Sequence, residues 1–425
     1  MRRVPWRRAR CVTHVADSTR SLNSIHSFDL RTDTHRLRGH DGTLRPVHTT
    51  QRKSRRSKAA GDCDFDLSRA AGTCCAVAVI ALGSLMTSAC GNESDGHRRE
   101  HQTHSMAESQ SNARYISSGE WAKPLGPIDE DAAGLPARVR RVRDEADMIL
   151  IAAGSFMMGP PEGDRTAYDE ETPRHQVFLT SPYYLDVAEV TNGQFSRFVS
   201  ATNYRTVAEI DGYSVVGSAD GRTFERRSGA MWRTRLHEAM PDSEWVRCPV
   251  VLVSYADAAE YAKWVGGELP TEAQFENALR GRSGAESVYP WGDAEVPPRD
   301  YGNYFGVECR RGVGYQSWAG IINGYDDKFQ FVAPVHSFQP NAAGIFDLSG
   351  NVHEFVRDWY GEHYYKVGTS TDPSGPSDGT ERVIRGGSFE SGIVSLHVYR
   401  RGSVAVKYRG EDLGFRVSRT MPKGE

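Results

Sequence analysis

Leu269-Pro270-Thr271-Glu272-Ala273-Gln274-Phe275-Glu276-Asn277-Ala278-Leu279-Arg280-Gly281 reads as a whole helix with both ends marked. The Thr271 hydroxyl can cap the first turn, and Gln274, three residues on, can reach back to it. Phe275, Ala278 and Leu279 fall three and four apart, so the helix has one buried stripe. Gly281 then ends it as a left-handed cap. The same start recurs at Thr191-Asn192-Gly193-Gln194, before Phe195, Phe198 and Val199. It recurs again at Ser254-Tyr255-Ala256-Asp257, before Ala258, Tyr261, Ala262 and Val265, with Gly266-Gly267 as the stop. Strands are expected at Met148–Ala152, Gln176–Leu179, Tyr184–Val187, Val383–Ile384 and Phe415–Val417. All are short, and residues 283–380 read mostly as loop. The 42 glycines punctuate the chain and argue against long helices and coiled coils. The expectation is one α+β domain over residues 146–420 with little regular secondary structure. So much loop in a compact body needs something other than strand pairing to hold it, and bound metal is the obvious candidate.

The N-terminal side of this body is different in kind. Residues 1–66 carry 15 basic against 7 acidic side chains, which leaves the remaining chain at a formal −11. A body that acidic argues against nucleic-acid binding. Residues 1–66 lack helical or strand periodicity and cannot bury enough surface to offset chain entropy. They read as a disordered basic segment or as a gene-model artefact upstream of a start near Leu67, with a basic nucleic-acid arm as the other reading. Within 67–90, the apolar run Cys74–Met86 leads into Thr87-Ser88-Ala89-Cys90 and then polar Gly91-Asn92-Glu93. A basic start, an apolar stretch of this length and a small-residue site describe a secretion signal. The site resembles a bacterial lipoprotein box, with Thr87 where a branched aliphatic is usual, and implies lipidation of Cys90. A buried helix over 70–86 is the alternative. Residues 91–145 read as a polar tether. No apolar run reaches the roughly 20 residues of a membrane span, so membrane contact is expected through a lipid anchor only. The expected location is the cell envelope, as an exported lipoprotein.

The body carries a series of motifs in fixed order. They are Gly154–Gly159, Glu171–Pro173 with Val177, Ala188–Asn192, Pro249-Val250 with Val253-Ser254, Leu269–Ala273, Tyr289–Gly292, Gly350–Glu354, Arg385–Ser388 and Gly414–Arg416. Together they resemble the formylglycine-generating enzyme, or sulfatase-modifying factor, family. The resemblance covers about 145–420. It implies a single C-type-lectin-like domain, stabilised by calcium.

Two calcium sets follow from that resemblance, position by position. One is the Asn303 side chain and Tyr304 carbonyl with the Asp327 side chain and Phe329 carbonyl. The other is Asp347, the carbonyls of Gly350 and Val352, and the Glu354 side chain. Calcium takes six to eight hard oxygens from just such mixtures of carboxylate, amide and carbonyl. Taken without the family, Asn and Asp in glycine-rich loops are simply turn formers.

The catalytic part of the resemblance fails to transfer. Family members that convert a sulfatase cysteine to formylglycine hold copper(I) between two thiolates shortly after Arg-Gly-Gly-Ser. Those places hold Ser391 and Leu396 here, and neither can replace a soft thiolate. The aromatic of the family pattern is His353. The pocket candidates are therefore His353, Ser388, Ser391, His397 and Arg400. His353 and His397, without a third fixed ligand, make a poor iron site, and polar groove lining is the plainer reading. Cys248 and Cys309 read equally as a disulfide or as two buried thiols. Three functions stay open: an oxidoreductase-like or substrate-modifying enzyme without copper–thiolate chemistry, a peptide- or glycan-binding module, and sulfatase maturation. The partner is a protein, peptide or small molecule in the family groove.

Overall fold

Two sheets, wedged between helices and long loops, form the frame of the computed structural model. The structure describes residues 121–125, 128–129, 135–217, 224–281, 286–307 and 320–422.

The first sheet has five strands, in the order Ala122–Pro124, Arg138–Arg141, Asp147–Ile151, Tyr183–Asp186 and Ser418–Thr420, all antiparallel. Its central strands are apolar on both faces. Met148, Leu150 and Tyr184 pack with Phe195, Tyr261 and Phe415, while Ile149, Tyr183 and Leu185 pack with Phe275 and Leu279. Successive strand residues point to opposite faces, so an unbroken apolar run is what a doubly covered strand requires. The second sheet runs Gly402–Ala405, Glu381–Arg385, His353–Trp359, Leu413–Gly414, with the last strand parallel to its neighbour.

The three capped helices form where the sequence marks them: Asn192–Thr202, Tyr255–Trp264 and Glu272–Arg280. In each, the Thr or Ser side chain accepts from the N3 backbone and the N3 side chain reaches back to the cap. Glu272–Arg280 is pinned to the second sheet through charge. Arg385 donates to Glu276, Arg280 donates to Glu276 at 2.8 Å, and Arg401 donates to Glu272 at 2.6 Å. Removing one member of such a buried set strands the others, so the Arg385 motif is structural before it is anything else.

Several differences from the sequence reading are informative. The domain starts earlier than residue 146. Trp121 is buried against Tyr184, and Val139, Arg141 and Asp144 are buried within or beside the first sheet, so 121–125 and 135–145 belong to the body rather than the tether. Arg141 hides this from composition, because its charge is buried against Asp144 and Asp186. Phe415–Val417 lies between two short strands, Leu413–Gly414 and Ser418–Thr420. The strand Gly154–Met158, which pairs with the strand His175–Leu179 expected over Gln176–Leu179, and the hairpin of Tyr213–Gly217 with Phe224–Ser228 lack the clean alternation that would announce them. The short helix Val207–Asp211 has its own Thr206–Glu209 capping box.

Between 286 and 352 the described residues hold no named strand or helix. Isolated backbone bonds, such as Phe305 N to Ser391 O at 3.1 Å, and side chains tie this stretch together. Asn341 donates to Ala278 O at 2.8 Å and accepts from the Ala343 and Ile345 amides. Residues 1–66, 67–90 and 91–120, and Cys309, for which a basic segment, a lipoprotein-type signal, a tether and a disulfide or free thiol are expected, lie outside the described residues. Cys248 is fully buried, with its thiol 3.5 Å from Met240 Sδ.

Candidate functional site

The loops before the second sheet bring the expected oxygen ligands together in two sets. In the first, Asp327 accepts from the Tyr304 amide and the Phe329 amide, both at 2.9 Å. Asn303 precedes Tyr304 and is fully buried. Its Nδ2 donates to Phe331 O at 2.8 Å and Asn351 Oδ1 at 3.1 Å, which fixes the amide orientation. Its Oδ1 then has no hydrogen-bond partner among the described residues. A buried acceptor left in that state is costly, and a cation is one thing that satisfies it. Asp327 thus meets Tyr304 and Phe329 through their amides, while the Tyr304 carbonyl accepts from the Gly306 amide at 2.6 Å.

The second set lies where the second sheet begins. Glu354 is fully buried and receives Arg416 through two nitrogens, with Nε to Oε2 and Nη2 to Oε1 both at 2.7 Å. Asp347 accepts from the His336 amide at 3.1 Å. A third carboxylate, Glu189, faces the same place: it accepts from Asn351 Nδ2 at 2.7 Å and from the Val352 amide at 3.3 Å. Burial pushes Asp347 up to about 6, with Glu354 adding to it, and pushes Glu189 and Glu354 up as well. Three buried carboxylates therefore share the charge of one arginine, Arg416. The charge stays buried in excess of its one arginine, yet these three carboxylates form no metal-holding group among the described residues. Asn351 bridges the two sets, accepting from Asn303 and donating to Glu189. Sequence reasoning passed over Glu189, although an acid flanked by apolar Val187, Ala188 and Val190 is a signal that something must pair with it.

The pocket candidates gather around one glycine. Gly387 has φ +79, and a Cβ placed on it would lie 2.7 Å from Leu396 Cδ2 and 3.3 Å from Ser391 Oγ. Ser391 and Leu396 are therefore neighbours on the same side of the turn, as two ligands of one ion would be. Their atoms are a hydroxyl and a hydrocarbon, and this donor set does not fit copper(I). Leu396 is 2% exposed and packs with Tyr289, Tyr304, Ile322 and Tyr325. Ser391 Oγ accepts from the Ser388 amide at 2.9 Å.

Ser388 and His353 meet at a residue the sequence reading missed, Asp412. Ser388 Oγ donates to Asp412 Oδ2 at 3.2 Å, and the His353 amide donates to Asp412 O at 2.8 Å. The His353 ring lies close enough to Asp412 to feel its charge, and Nδ1 is buried without a partner among the described residues. Burial lowers the His353 pKa despite Asp412 and a backbone hydrogen bond at Arg385, which favours the neutral ring. The acidic pair Glu411-Asp412 just before Gly414-Phe415-Arg416 was the available signal.

His397 belongs to a different neighbourhood. Its ring packs on Tyr289 at 5.1 Å and Tyr399 at 5.0 Å, and its Nδ1 faces Arg400 Nη2 at 3.2 Å. Burial, helped by Arg400, lowers its pKa to about 4. Arg400 is tied to Glu171 at 2.7 Å and lies over the Tyr168 ring. Among the described residues no three His, Cys, Asp or Glu side chains form a metal-holding group.

Comparison with known proteins agrees with this frame. A family model described as the sulfatase-modifying factor enzyme 1-like domain matches residues 133–421. The formylglycine-generating enzyme of Streptomyces coelicolor is 34% identical over 308 residues, covering 68% of this chain and 93% of the relative. That of Thermomonospora curvata is 36% identical over 262 residues, covering 57% and 82%, and that of Mus musculus is 31% identical over 298 residues, covering 64% and 74%. Among solved structures, PvdO from Pseudomonas aeruginosa superposes with a TM-score of 0.51 at 24% identity, over 70% of this chain and all of that one. This last likeness concerns the fold. Among the described residues no helix is long and apolar enough to cross a membrane.

Proposed function

The chain belongs to the sulfatase-modifying factor family, and we propose that it is a calcium-stabilised member that modifies its substrate without copper–thiolate chemistry. The observation that carries this reading is the pair Ser391 and Leu396 against Gly387, with Leu396 filling the place under Tyr289, Tyr304 and Tyr325. Polar groups survive beside it. In this reading Ser388, which donates to Asp412, and the neutral His353 ring support the turn from within, since Ser388 and His353 Nδ1 are both buried. The substrate is a peptide, a protein segment or a small molecule in the family groove. Calcium, held by the sets around Asn303 and Glu354, supplies charge neutralisation that keeps the loops in place.

A second reading, a binding module for peptides or glycans, draws on the aromatic face beside Leu396. Tyr289 and Trp291 stack at 4.9 Å and 3°, a platform suited to a flat apolar group. We further propose export with Cys90 as a lipidated N-terminus, supported by the apolar run ahead of Ala89-Cys90 and the polar segment after it.

Metal analysis of the purified protein tests the functional reading. Calcium without copper or iron supports it. Stoichiometric copper or iron, surviving dialysis, contradicts it.

A further inference from the structure

The hairpin of Tyr213–Gly217 with Phe224–Ser228 meets the body through its inner strand. Every residue of Phe224–Ser228 is exposed, whereas Ser214 and Val216 are buried, Val216 in the cluster of Val251, Leu252 and Phe389. At the base, Gly229 N donates to Gly212 O at 2.8 Å. Both glycines take positive φ, +75 and +79, with open space where a side chain would stand, so the base is built as a hinge. Beyond it, polar ties bind the inner strand to the segment Arg409–Asp412. Arg409 O accepts from the Val215 amide at 3.2 Å, and Arg409 Nε donates to Tyr213 O at 3.0 Å. Glu411 Oε1 accepts from the Gly217 amide at 2.8 Å, at the end of the strand away from the hinge. Glu411 is 5% exposed.

The charges around Glu411 decide how this last tie behaves. On its own segment Asp412 adds a second negative charge, and on the hairpin Arg227 supplies a positive one. The other charged neighbours are engaged elsewhere: Arg409 on Asp211 at 2.9 Å, Arg226 over the Tyr213 ring at 4.7 Å, and Glu225 opposite Val216. Val250–Val253, bonded through the Leu252 amide to Gly410 O at 3.0 Å, carries no charged side chain. Burial, with Asp412 adding to it, pushes the Glu411 carboxyl up to about 7 against the Gly217 amide and Arg227. We propose that Glu411 is a proton-operated latch: its neutral carboxyl holds the hairpin on Arg409–Asp412, and loss of the proton to water loosens the inner strand at the two glycines. In the loosened hairpin the carboxyl is hydrated and titrates near its ordinary 4.5, so the latched form binds the proton more tightly. The hold is therefore complete below about pH 4.5, falls as pH rises, and is weakest above about pH 7. The latch adjoins the Gly387 turn, because the next residue, Asp412, receives Ser388 at 3.2 Å and the His353 amide at 2.8 Å.

The test is hydrogen exchange of the full chain from about pH 5.5 to about pH 8, read by mass spectrometry with the intrinsic exchange rates divided out. Tyr213–Gly217 is followed beside the helix Glu272–Arg280. Protection of Tyr213–Gly217 should fall by about tenfold or more across this range, and that of the helix by less. Glu411→Gln keeps the acceptor oxygen and cannot ionise, so its hairpin should stay at the protection the wild type shows at the acid end. Arg227→Gln, at an exposed position, removes the positive charge that opposes burial and should move the transition to higher pH. Wild-type protection that is constant with pH, or that changes in step with the helix, overturns the proposal. A transition that persists in Glu411→Gln overturns it as well. Should Glu411→Gln fail to fold, Arg227→Gln decides, and a transition at unchanged or lower pH is then the contrary result.

Discussion

The oxygen sets around Asn303 and Glu354 and the turn around Gly387 adjoin each other, yet they have kept the family pattern to opposite degrees. In the first region all eight expected positions carry suitable atoms, and Glu189 adds a third carboxylate beside Asp347 and Glu354. In the second, the backbone turn is intact while the two side chains that matter for copper are Ser391 and Leu396. Among the described residues no named strand or helix lies between 286 and 352, and side-chain bonds such as those of Asn303, Asp327 and Asn351 tie these loops. The turn at Gly387 is held from elsewhere: Arg385 by Glu276, Phe389 by the Asn351 carbonyl, and Ser388 by Ser391 and Asp412. Of its two expected soft-ligand positions, Ser391 takes part in that support and Leu396 packs into the aromatic cluster beside it.

The largest way to break this comparison is in the anionic region. Arg416→Ala leaves Glu354, Asp347 and Glu189 buried without their shared cation, and should cost about 3–5 kcal/mol in urea unfolding. A loss under 1 kcal/mol would mean that these carboxylates do not depend on one another.

Next comes calcium itself. A ligand bound only by the native state stabilises it by about 2.7 kcal/mol at a hundredfold excess over Kd. A chelator should therefore lower the melting temperature, and Asp327→Ala or Glu354→Ala should blunt that response. A melt unchanged by chelator would remove calcium from the account.

A smaller effect sharpens the other region. The His397 pKa is lowered to about 4, so the folded state keeps the ring neutral while the unfolded chain protonates it near its ordinary value. Between those values the unfolded state binds the extra proton. The stability that His397 contributes is thus full above about pH 7 and lost as pH falls toward 4, by up to about 2 kcal/mol. His397→Gln should flatten this part of the pH–stability curve relative to wild type. Parallel curves would show that the ring titrates normally.

What the sequence made legible follows the same division. The capped helices were readable because cap, stripe and stop sit within a dozen residues of each other, as in Thr271–Gly281. The calcium assignment of the oxygen sets rests on the family resemblance alone, since Asn303 and Asp327 stand in loops where turn formation explains them equally well. Asp412 and Glu189 were missed because their partners lie far away in sequence: Glu189 meets Asn351 across 162 residues, and Ser388 meets Asp412 across 24. Trp121 and Arg141 were assigned to the tether because a strand at a sheet edge and a buried ion pair both look polar in composition. Long-range pairing of polar groups leaves no local period to read.

The most direct test of the central claim is the reaction that the Gly387 turn would support if copper chemistry had remained. The purified protein, charged with copper under air, is incubated with a Cys-x-Pro-x-Arg peptide, and the mass at the peptide cysteine is followed. A parallel arm carries Ser391→Cys with Leu396→Cys, which restores two thiols beside Gly387. The account predicts an unchanged peptide and no copper(I) retained by the wild type, with any gain of copper confined to the double variant. Conversion of the cysteine to formylglycine by the wild type would contradict it.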